Sequence, residues 1–368
     1  MDDISIGFIG FGLIGGSIAK AIKETHPNAR ILAYNYHQNT NTSLELALSE
    51  HVIDEIVTEL KPSFHDLDLI FLCAPVLTNI EYLKQLKEII NDSCIITDVG
   101  SVKGEIHNAV SALQLDHNFI GGHPMTGSEK TGYENSSAVF LENAFYILTP
   151  TALTKNKQYQ FLEALVRDMK AIPICLDSTT HDDATAAISH VPHIIAYSLV
   201  KMVEQEDNPE HIMKTIAAGG FKDITRIVSS SPVMWQSICL TNKESILKFL
   251  HRFQDTLSES IQMIEQQDSE KLYTMFENGK EYRDSLSDSS NGALHKVYEV
   301  YVDIIDEAGA IATIATLLAI NGISIKNIGI LHNREFSQGV LRIELYDEKG
   351  AGKTVELLKH YHYTIYKR

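Results

Sequence analysis

The chain has 368 residues, more than one hydrophobic core usually organises, so two or three domains are expected. Its composition, 44% hydrophobic and 21% charged, is that of an ordinary globular protein, and a formal charge of −17 argues against nucleic acid or an anionic membrane as partner. The same charge requires that an anionic substrate be caught by a local basic group.

Through residue 176, short apolar runs alternate with amphipathic stretches. Residues 5–9, 31–34, 69–73, 94–97, 119–121, 145–148 and 172–176 are expected strands. Residues 76–90, apolar at Leu77, Ile80, Leu83, Leu86 and Ile90, and residues 158–169 are expected helices between them. Such alternation implies a mostly parallel sheet covered on both faces, an α/β domain over 1–176. From 177 to 292 the strand signal disappears. Helical patterns follow one another, the longest at 184–204 and 243–266, and their surplus of Ile, Leu and Met predicts burial against a second copy in a homodimer. Near Asn291-Gly292 the character changes again. Strands at 298–304, 323–330, 340–345 and 364–367 and helices at 308–320 and 351–361 give the order β-α-β-β-α-β, a ferredoxin-like α+β unit over 293–368.

The four cysteines, Cys73, Cys94, Cys175 and Cys239, form no CxxC pair, and three lie in apolar strand-like runs. Buried thiols are expected, with neither a disulfide framework nor a metal site. The first residues show no basic-then-apolar leader, and no uninterrupted apolar run approaches ~18 residues. A cytoplasmic enzyme is the expectation.

The strongest local motif is Gly10-Phe11-Gly12-Leu13-Ile14-Gly15, directly after the first strand and before an Ala-containing helix. The first glycine permits the tight turn and the second lets backbone approach a pyrophosphate. The third lets helix pack on strand, so the helix N-terminus can hold the phosphates of a dinucleotide in a Rossmann domain. At the end of the second strand, where Asp or Glu usually meets the adenosine ribose of NAD, stands Asn35, with no Arg or Lys following to take a 2′-phosphate. NAD is therefore favoured over NADP. Cys73, Ala74 and Pro75, at the end of the strand at 69–73, join the expected cofactor set because ligands bind at carboxyl ends of strands in such sheets.

Two further segments end strands on that side. One runs from Asp98 to Gly104 and includes Ser101; the other runs from Gly121 to Glu129 and includes His123. The helical region adds Ile188-Ser189-His190-Val191-Pro192-His193 and Gly219-Gly220-Phe221-Lys222-Asp223-Ile224-Thr225-Arg226. Each of these has a plainer reading beside the functional one. His123-Pro124 alone could be a strand-end turn. His190 and His193 lie one helical turn apart like a metal pair, yet no third ligand has metal-like spacing and Pro192 intervenes, so one of them is expected to be structural. Asp223 and Arg226 could be an i, i+3 surface bridge. Trp235, the only tryptophan, is expected to be a core or interface anchor, with a pocket wall as the other reading.

In this order and together, the segments GFGLIGGS, DVGSVKG, GGHPMTGSE, ISHVPH and FKDITR resemble prephenate dehydrogenase, over the whole chain. The C-terminal unit looks like the ACT regulatory domain that some members carry. The resemblance implies oxidation of prephenate by NAD+ in tyrosine biosynthesis. It implies that Ser101, His123, His193 and Arg226 act on substrate, and that His190, Glu129 and Asp223 support or gate the pocket. It further implies tyrosine as an inhibitor, with the helix-start amides after Gly309 suited to its carboxylate. The visible departure from the family is Asn35. The chemistry explains the residue types: a neutral imidazole at His123 can accept the hydroxyl proton, Ser101 can bridge that hydroxyl and the nicotinamide, and Arg226 offers a fork for a carboxylate.

Three other functions compete. Arogenate, or both substrates in a cyclohexadienyl dehydrogenase, would need a pocket acid to meet the amine. A 3-hydroxyacid dehydrogenase shares the architecture but relies on a catalytic lysine in its helical domain. A non-catalytic sensor of NAD and an amino acid would not need the set Ser101, His123 and Arg226.

Overall fold

The computed structural model describes residues 4–35, 42–127, 130–289, 298–305, 309–331 and 338–366. Two compact units emerge, Met1–Leu257 and Ser258–Arg368, and each is described by itself.

In the first unit the alternation of apolar and amphipathic runs becomes strand and helix in turn. β1 (Ser5–Ile9), α1 (Leu13–Thr25), β2 (Arg30–Tyr34), α2 (Thr42–Ser49), β3 (Glu55–Val57), β4 (Leu69–Leu72), α3 (Val76–Leu86) and β5 (Ile95–Asp98) build a five-stranded sheet in the order β3-β2-β1-β4-β5. Every pairing in it is parallel. β4 is apolar and fully buried at every position, as a strand covered on both faces must be. Two hydrophobic clusters do the covering. One, with Ile6, Phe8, Ile18 and Ile22, packs α1 on one face; the other, with Ile9, Ile70, Leu83 and Ile106, packs α3 on the opposite face. The short β3 carries too little apolar alternation to be expected from sequence.

α4 (Gly104–Ala112) leads to a second sheet of β6 (Ile120–Pro124), β7 (Phe145–Pro150) and β8 (Ile172–Cys175), with α5 (Asn156–Asp168) between the last two. β7 turns antiparallel to β6, and β8 is parallel to β7. A parallel bridge from Ile96 to Phe119 continues the first sheet toward β6. The expected mostly parallel strands are therefore present, with the last two, β7 and β8, reversed.

From residue 178 the unit is helical: α6 (Ser178–Thr185), α7 (Val191–Glu206), α8 (Ile212–Ile216), α9 (Gly219–Thr225), α10 (Pro232–Thr241) and α11 (Lys243–Glu265), which runs past the division between units. Between α6 and α7 the backbone widens into a π turn over Ala186–His190. Pro192 has no N–H to give to the Ile188 carbonyl, and the π turn stands just before it. The continuous run Ser178–Glu206 is long and apolar enough to cross a bilayer by length and composition. In this unit its first part packs against β7 and α4.

In the second unit, the end of α11 and α12 (Ser269–Ser289) form a helical pair, with the Ser260 hydroxyl donating to the Met275 sulfur at 3.5 Å. β9 (Tyr298–Ile305), α13 (Ala310–Ile320), β10 (Ile325–Leu331), β11 (Gln338–Leu345), α14 (Glu348–His360) and β12 (Ile365–Tyr366) follow. The sheet order is β10-β11-β9-β12, its pairings antiparallel, with both helices contributing to a core of Val300, Val302, Ile314, Leu318, Ile343 and Leu358. The β-α-β-β-α-β order expected from sequence is present.

The cysteines are all free thiols. Cys94 is buried and Cys73 and Cys239 partly so, but Cys175 is exposed, a correction to the expectation of buried thiols. It ends β8, the last strand of the smaller sheet, which is less deeply covered than the central strands.

Candidate active site

The glycine turn sits at the carboxyl end of β1, the middle strand. Gly10 has φ +87°, and a Cβ there would lie 2.9 Å from the Ala74 nitrogen, so the position excludes any side chain. A Cβ on Gly12 would meet nothing within 4 Å, so backbone at this point faces open space. That space is a cavity of about 670 Å³ lined by Gly10, Phe11, Gly12, Asn35, Cys73, Ala74, Pro75 and Tyr82 among others. Leu13, Ile14 and Gly15 start α1, whose first amides have no preceding turn to bond. A bare glycine facing a crevice at a helix N-terminus fits a pyrophosphate.

Asn35 lies in this cavity, and its Oδ1 accepts the Phe11 N–H at 2.7 Å. The side chain thus braces the glycine turn, leaving its NH₂ as the group able to meet a ribose oxygen. Asn79, unmarked by any sequence signal, shapes the opposite wall. Fully buried on α3, it accepts from the Ala74 amide at 3.1 Å and donates to the Leu72 and Ala74 carbonyls at 3.2 and 2.8 Å. The Cys73-Ala74-Pro75 turn is held in shape by that amide. Burial pushes the Cys73 thiol far up, with the charge of Asp98 adding to it, so it stays protonated.

The turn carrying Ser101 is fastened to β6 by a buried ion pair. Asp98 and Lys103 are both wholly buried and bonded to each other. Lys103 Nζ also donates to the Gly122 carbonyl at 2.8 Å, while Asp98 accepts from the Gly100 amide at 2.9 Å and the Gly122 amide at 3.2 Å. Burial lowers the Lys103 pKa and the adjacent Asp98 charge opposes this. Ser101 and His123 therefore flank one rigid knot, Ser101 half-buried two residues before Lys103 and His123 next to Gly122.

His123 is buried, and its Nδ1 lies 2.8 Å from Nε2 of His181 on α6. His181 Nδ1 lies 2.8 Å from Asp182 Oδ1. Asp182 in turn accepts the Lys103 amide on Oδ1 and the Gly104 amide on Oδ2, each at 2.7 Å, at the start of α4. Burial, and then the neighbouring His181 and Lys103, hold the His123 pKa well below the usual histidine range. Burial also lowers that of His181, against the pull of Asp182. Both rings are neutral at pH 7. A carboxylate only accepts, so His181 Nδ1 carries its proton and Nε2 is bare. His123 Nδ1 must then be the donor, which leaves His123 Nε2 as a free acceptor.

His190 and His193 sit in different surroundings. His190 is buried, its Nδ1 accepts from Asn242 Nδ2 at 3.1 Å, and burial brings its pKa down to about 4. Asn242 also donates to the Asp182 carbonyl at 3.0 Å. His193 is half-buried and stacked on Trp235, ring centres 3.6 Å apart at 25°, with Nδ1 donating to the Ser189 carbonyl at 3.1 Å. Trp235, 9% exposed, thus presents one face to His193 and meets the edge of His190 at 6.0 Å. Among the described residues no group of three or more His, Cys, Asp or Glu converges as a metal site.

Asp223 on α9 and Arg226, which opens the 3₁₀ turn Arg226–Ser229, are exposed, and both segments pack against α7, the helix bearing His193. Glu129 lies outside the described residues. The site thus brings His123 together with His181 and Asp182, which sequence reasoning missed. The available signal was a His-Asp pair at the entry to the helical region.

A parallel sheet with a dinucleotide cradle at its strand ends, beside a neutral buried imidazole, defines an NAD-dependent oxidoreductase. The chain matches the prephenate dehydrogenase nucleotide-binding domain over residues 18–174 and the prephenate dehydrogenase dimerization domain over residues 177–278. It is 38% identical over 360 residues to the prephenate dehydrogenase of Bacillus subtilis, covering 96% of this chain and 95% of that one. Among solved structures it is similar to prephenate dehydrogenase from Aquifex aeolicus in complex with hydroxyphenyl propionate and NAD+, with a TM-score of 0.72 and 31% identity over 77% of this chain and 98% of that one. It is also similar to Synechocystis arogenate dehydrogenase, with a TM-score of 0.68 and 27% identity over 77% and 100%. The chain belongs to the prephenate dehydrogenase family.

Proposed function

We propose that this protein converts prephenate to 4-hydroxyphenylpyruvate and carbon dioxide with reduction of NAD+, the oxidative step of tyrosine biosynthesis. The observation that carries the reading is a buried His123 near the carboxyl end of β6 with Nδ1 2.8 Å from His181 Nε2, an arrangement that leaves Nε2 to accept a proton. Bound NAD+ supplies the hydride acceptor. Gly10, Phe11, Gly12, Leu13, Ile14 and Gly15 hold its phosphates, Asn35 its adenosine ribose, and Cys73, Ala74 and Pro75 line its path.

His123 Nε2 takes the hydroxyl proton as hydride leaves the same ring carbon. The electrons of the ring-carboxylate bond then flow into the ring as carbon dioxide departs, and the ring oxygen recovers the proton as a phenol. Protons and charge balance, and aromatisation drives the step. The protein's work is therefore positioning and a well-placed acceptor. Ser101 bridges the hydroxyl and the nicotinamide. Arg226 and His193 receive the carboxylates, with Asp223 and Glu129 orienting and gating and His190 supporting through Asn242. Prephenate is preferred to arogenate on the strength of the 38% identical Bacillus relative, which spans nearly the full chain.

Three coarser features complete the proposal. The helical segment forms a homodimer, supported by the exposure of Ile216 (70%), Val233 (69%) and Leu240 (65%), too many large apolar groups for a free surface. Residues 293–368 form an ACT-type domain that binds tyrosine, supported by the sheet order and by Gly309, whose left-handed φ of +95° opens α13. Four free thiols and the acidic charge fit the cytoplasm.

The test is steady-state kinetics with NAD+ and either prephenate or arogenate. His123→Asn lowers kcat by roughly 100-fold or more with NAD+ affinity retained, while Arg226→Ala chiefly raises KM for prephenate. Near-normal turnover of His123→Asn, or faster turnover of arogenate by the unaltered protein, overturns the assignment.

A further inference from the structure

We propose that His181 and Asp182 are positioning residues for this reaction: as a buried hydrogen-bonded chain they dictate which nitrogen of His123 is left bare. The proposal rests on His123 being the proton acceptor, and its test is chosen to separate the two.

A neutral imidazole has one donor and one acceptor nitrogen, and in water the two tautomers differ by little. An acceptor for the substrate hydroxyl is useful only if Nε2 is the bare one, so something has to bias the ring. Three links in the structure do so. Asp182 is only 7% exposed, yet its carboxylate has three donors: the Lys103 and Gly104 amides at 2.7 Å each and His181 Nδ1 at 2.8 Å. Both amides lie at the start of α4, so the helix N-terminus faces the carboxylate. The wholly buried His181 then has a single tautomer available, and its bare Nε2 faces His123 Nδ1 at 2.8 Å. The backbone is held as firmly. The Thr185 hydroxyl contacts the His181 and Asp182 carbonyls at 3.0 and 3.3 Å, and Asn242 donates to the Asp182 carbonyl at 3.0 Å. Asp182 acts through His181 and His181 through His123, and neither need touch substrate.

The plainer alternative is that the chain only stabilises the join between α6 and α4. The two readings part at Asp182→Asn. All three partners of Asp182 are donors, with Oδ1 serving both the Lys103 amide and His181 Nδ1 and Oδ2 serving the Gly104 amide. An amide NH₂ therefore meets a backbone N–H on either side, and where it replaces Oδ1 the His181 ring answers by moving its proton to Nε2. His123 must then accept on Nδ1 and carry its proton on Nε2, where it can no longer take one from substrate. Inversion of this kind in a Ser-His-Asp triad costs about 10⁴-fold in kcat. Here a loss of roughly 10²- to 10⁴-fold is expected, with NAD+ affinity little changed. His181→Gln, whose amide can donate to Asp182 and accept from His123, retains much more activity than His181→Leu, which can do neither.

The direct readout is ¹⁵N NMR of the histidine-labelled full chain, which distinguishes bare from protonated ring nitrogens, with His123 assigned by loss of its signals in His123→Asn. The expected result is a bare Nε2 on His123 in the unaltered protein and a bare Nδ1 in Asp182→Asn. A bare Nδ1 in the unaltered protein overturns the proposal, as does unreduced kcat in a folded His181→Leu. Should His181→Leu fail to fold, Asp182→Asn and the unaltered spectrum decide. If His123→Asn itself turns over normally, the acceptor reading fails instead, whatever the tautomers show.

Discussion

The buried pair of Lys103 and Asp98 is the point at which stability and site geometry meet, and Lys103→Met tests it. Methionine keeps much of the length and apolar stem of lysine but removes the charge. Both partners are fully excluded from solvent, so the substitution leaves a carboxylate buried with only the Gly100 and Gly122 amides to face. Breaking one half of such a pair costs about 3–5 kcal/mol. The Gly122 carbonyl also loses the donor it has at 2.8 Å, adding about 1–3 kcal/mol. Against a total stability of about 5–15 kcal/mol this is a large fraction. Urea unfolding at pH 7, followed by fluorescence of the single Trp235, reports on the unit that holds the pair. Adding Asp98→Asn to Lys103→Met removes the stranded charge and should recover a substantial part of the loss, since swapping out both members of a buried pair is often near neutral. In the single variant, kcat should fall more than NAD+ affinity, because Ser101 and His123 are the groups the knot aligns. A cost below about 1 kcal/mol, or a double variant as unstable as the single one, would refute this reasoning.

Two further predictions follow from the buried imidazoles and the C-terminal unit. His190 is neutral when folded down to about pH 4, whereas the unfolded ring protonates near 6.5. Between those values the unfolded chain binds more protons, so stability is full above pH 6.5 and falls as pH drops toward 4. His190 accounts for about 3 kcal/mol of that fall at about 1.4 kcal/mol per pH unit. Urea midpoints across this range should fall with pH, and less steeply in His190→Asn; a midpoint that rises as pH falls would contradict the assignment. Tyrosine should inhibit the full-length enzyme with a component that saturating prephenate does not relieve, as a separate site requires. Purely competitive inhibition would place tyrosine in the active site alone.

Much of this architecture follows from local patterns. A glycine-rich turn between an apolar strand and a helix is a short-range feature whose backbone demands are met within a few residues, and Gly10 and Gly12 take up the positions those demands specify. Continuous apolar runs had to become strands buried on both faces, and the loss of that pattern after residue 176 had to become helix. Ser101 and His123 could be picked out as candidates because they lie close to the carboxyl ends of β5 and β6, where a parallel sheet opens to ligand.

Other features had no local signature. β7 reverses direction in the sheet, Asn35 spends its oxygen on the Phe11 amide, and the exposed Cys175 lies in a run as apolar as those of buried cysteines. The partners that decide the chemistry are far apart in the chain. His123 and His181 are separated by 58 residues, Lys103 and Asp182 by 79, and Asn242 and Asp182 by 60. A hydrogen bond carries no periodicity, so sequence cannot say which distant donor a buried acceptor will find. Only when α6 closes onto α4 and β7 does Asp182 meet two helix-start amides, and only then does His123 acquire the partner that sets its proton.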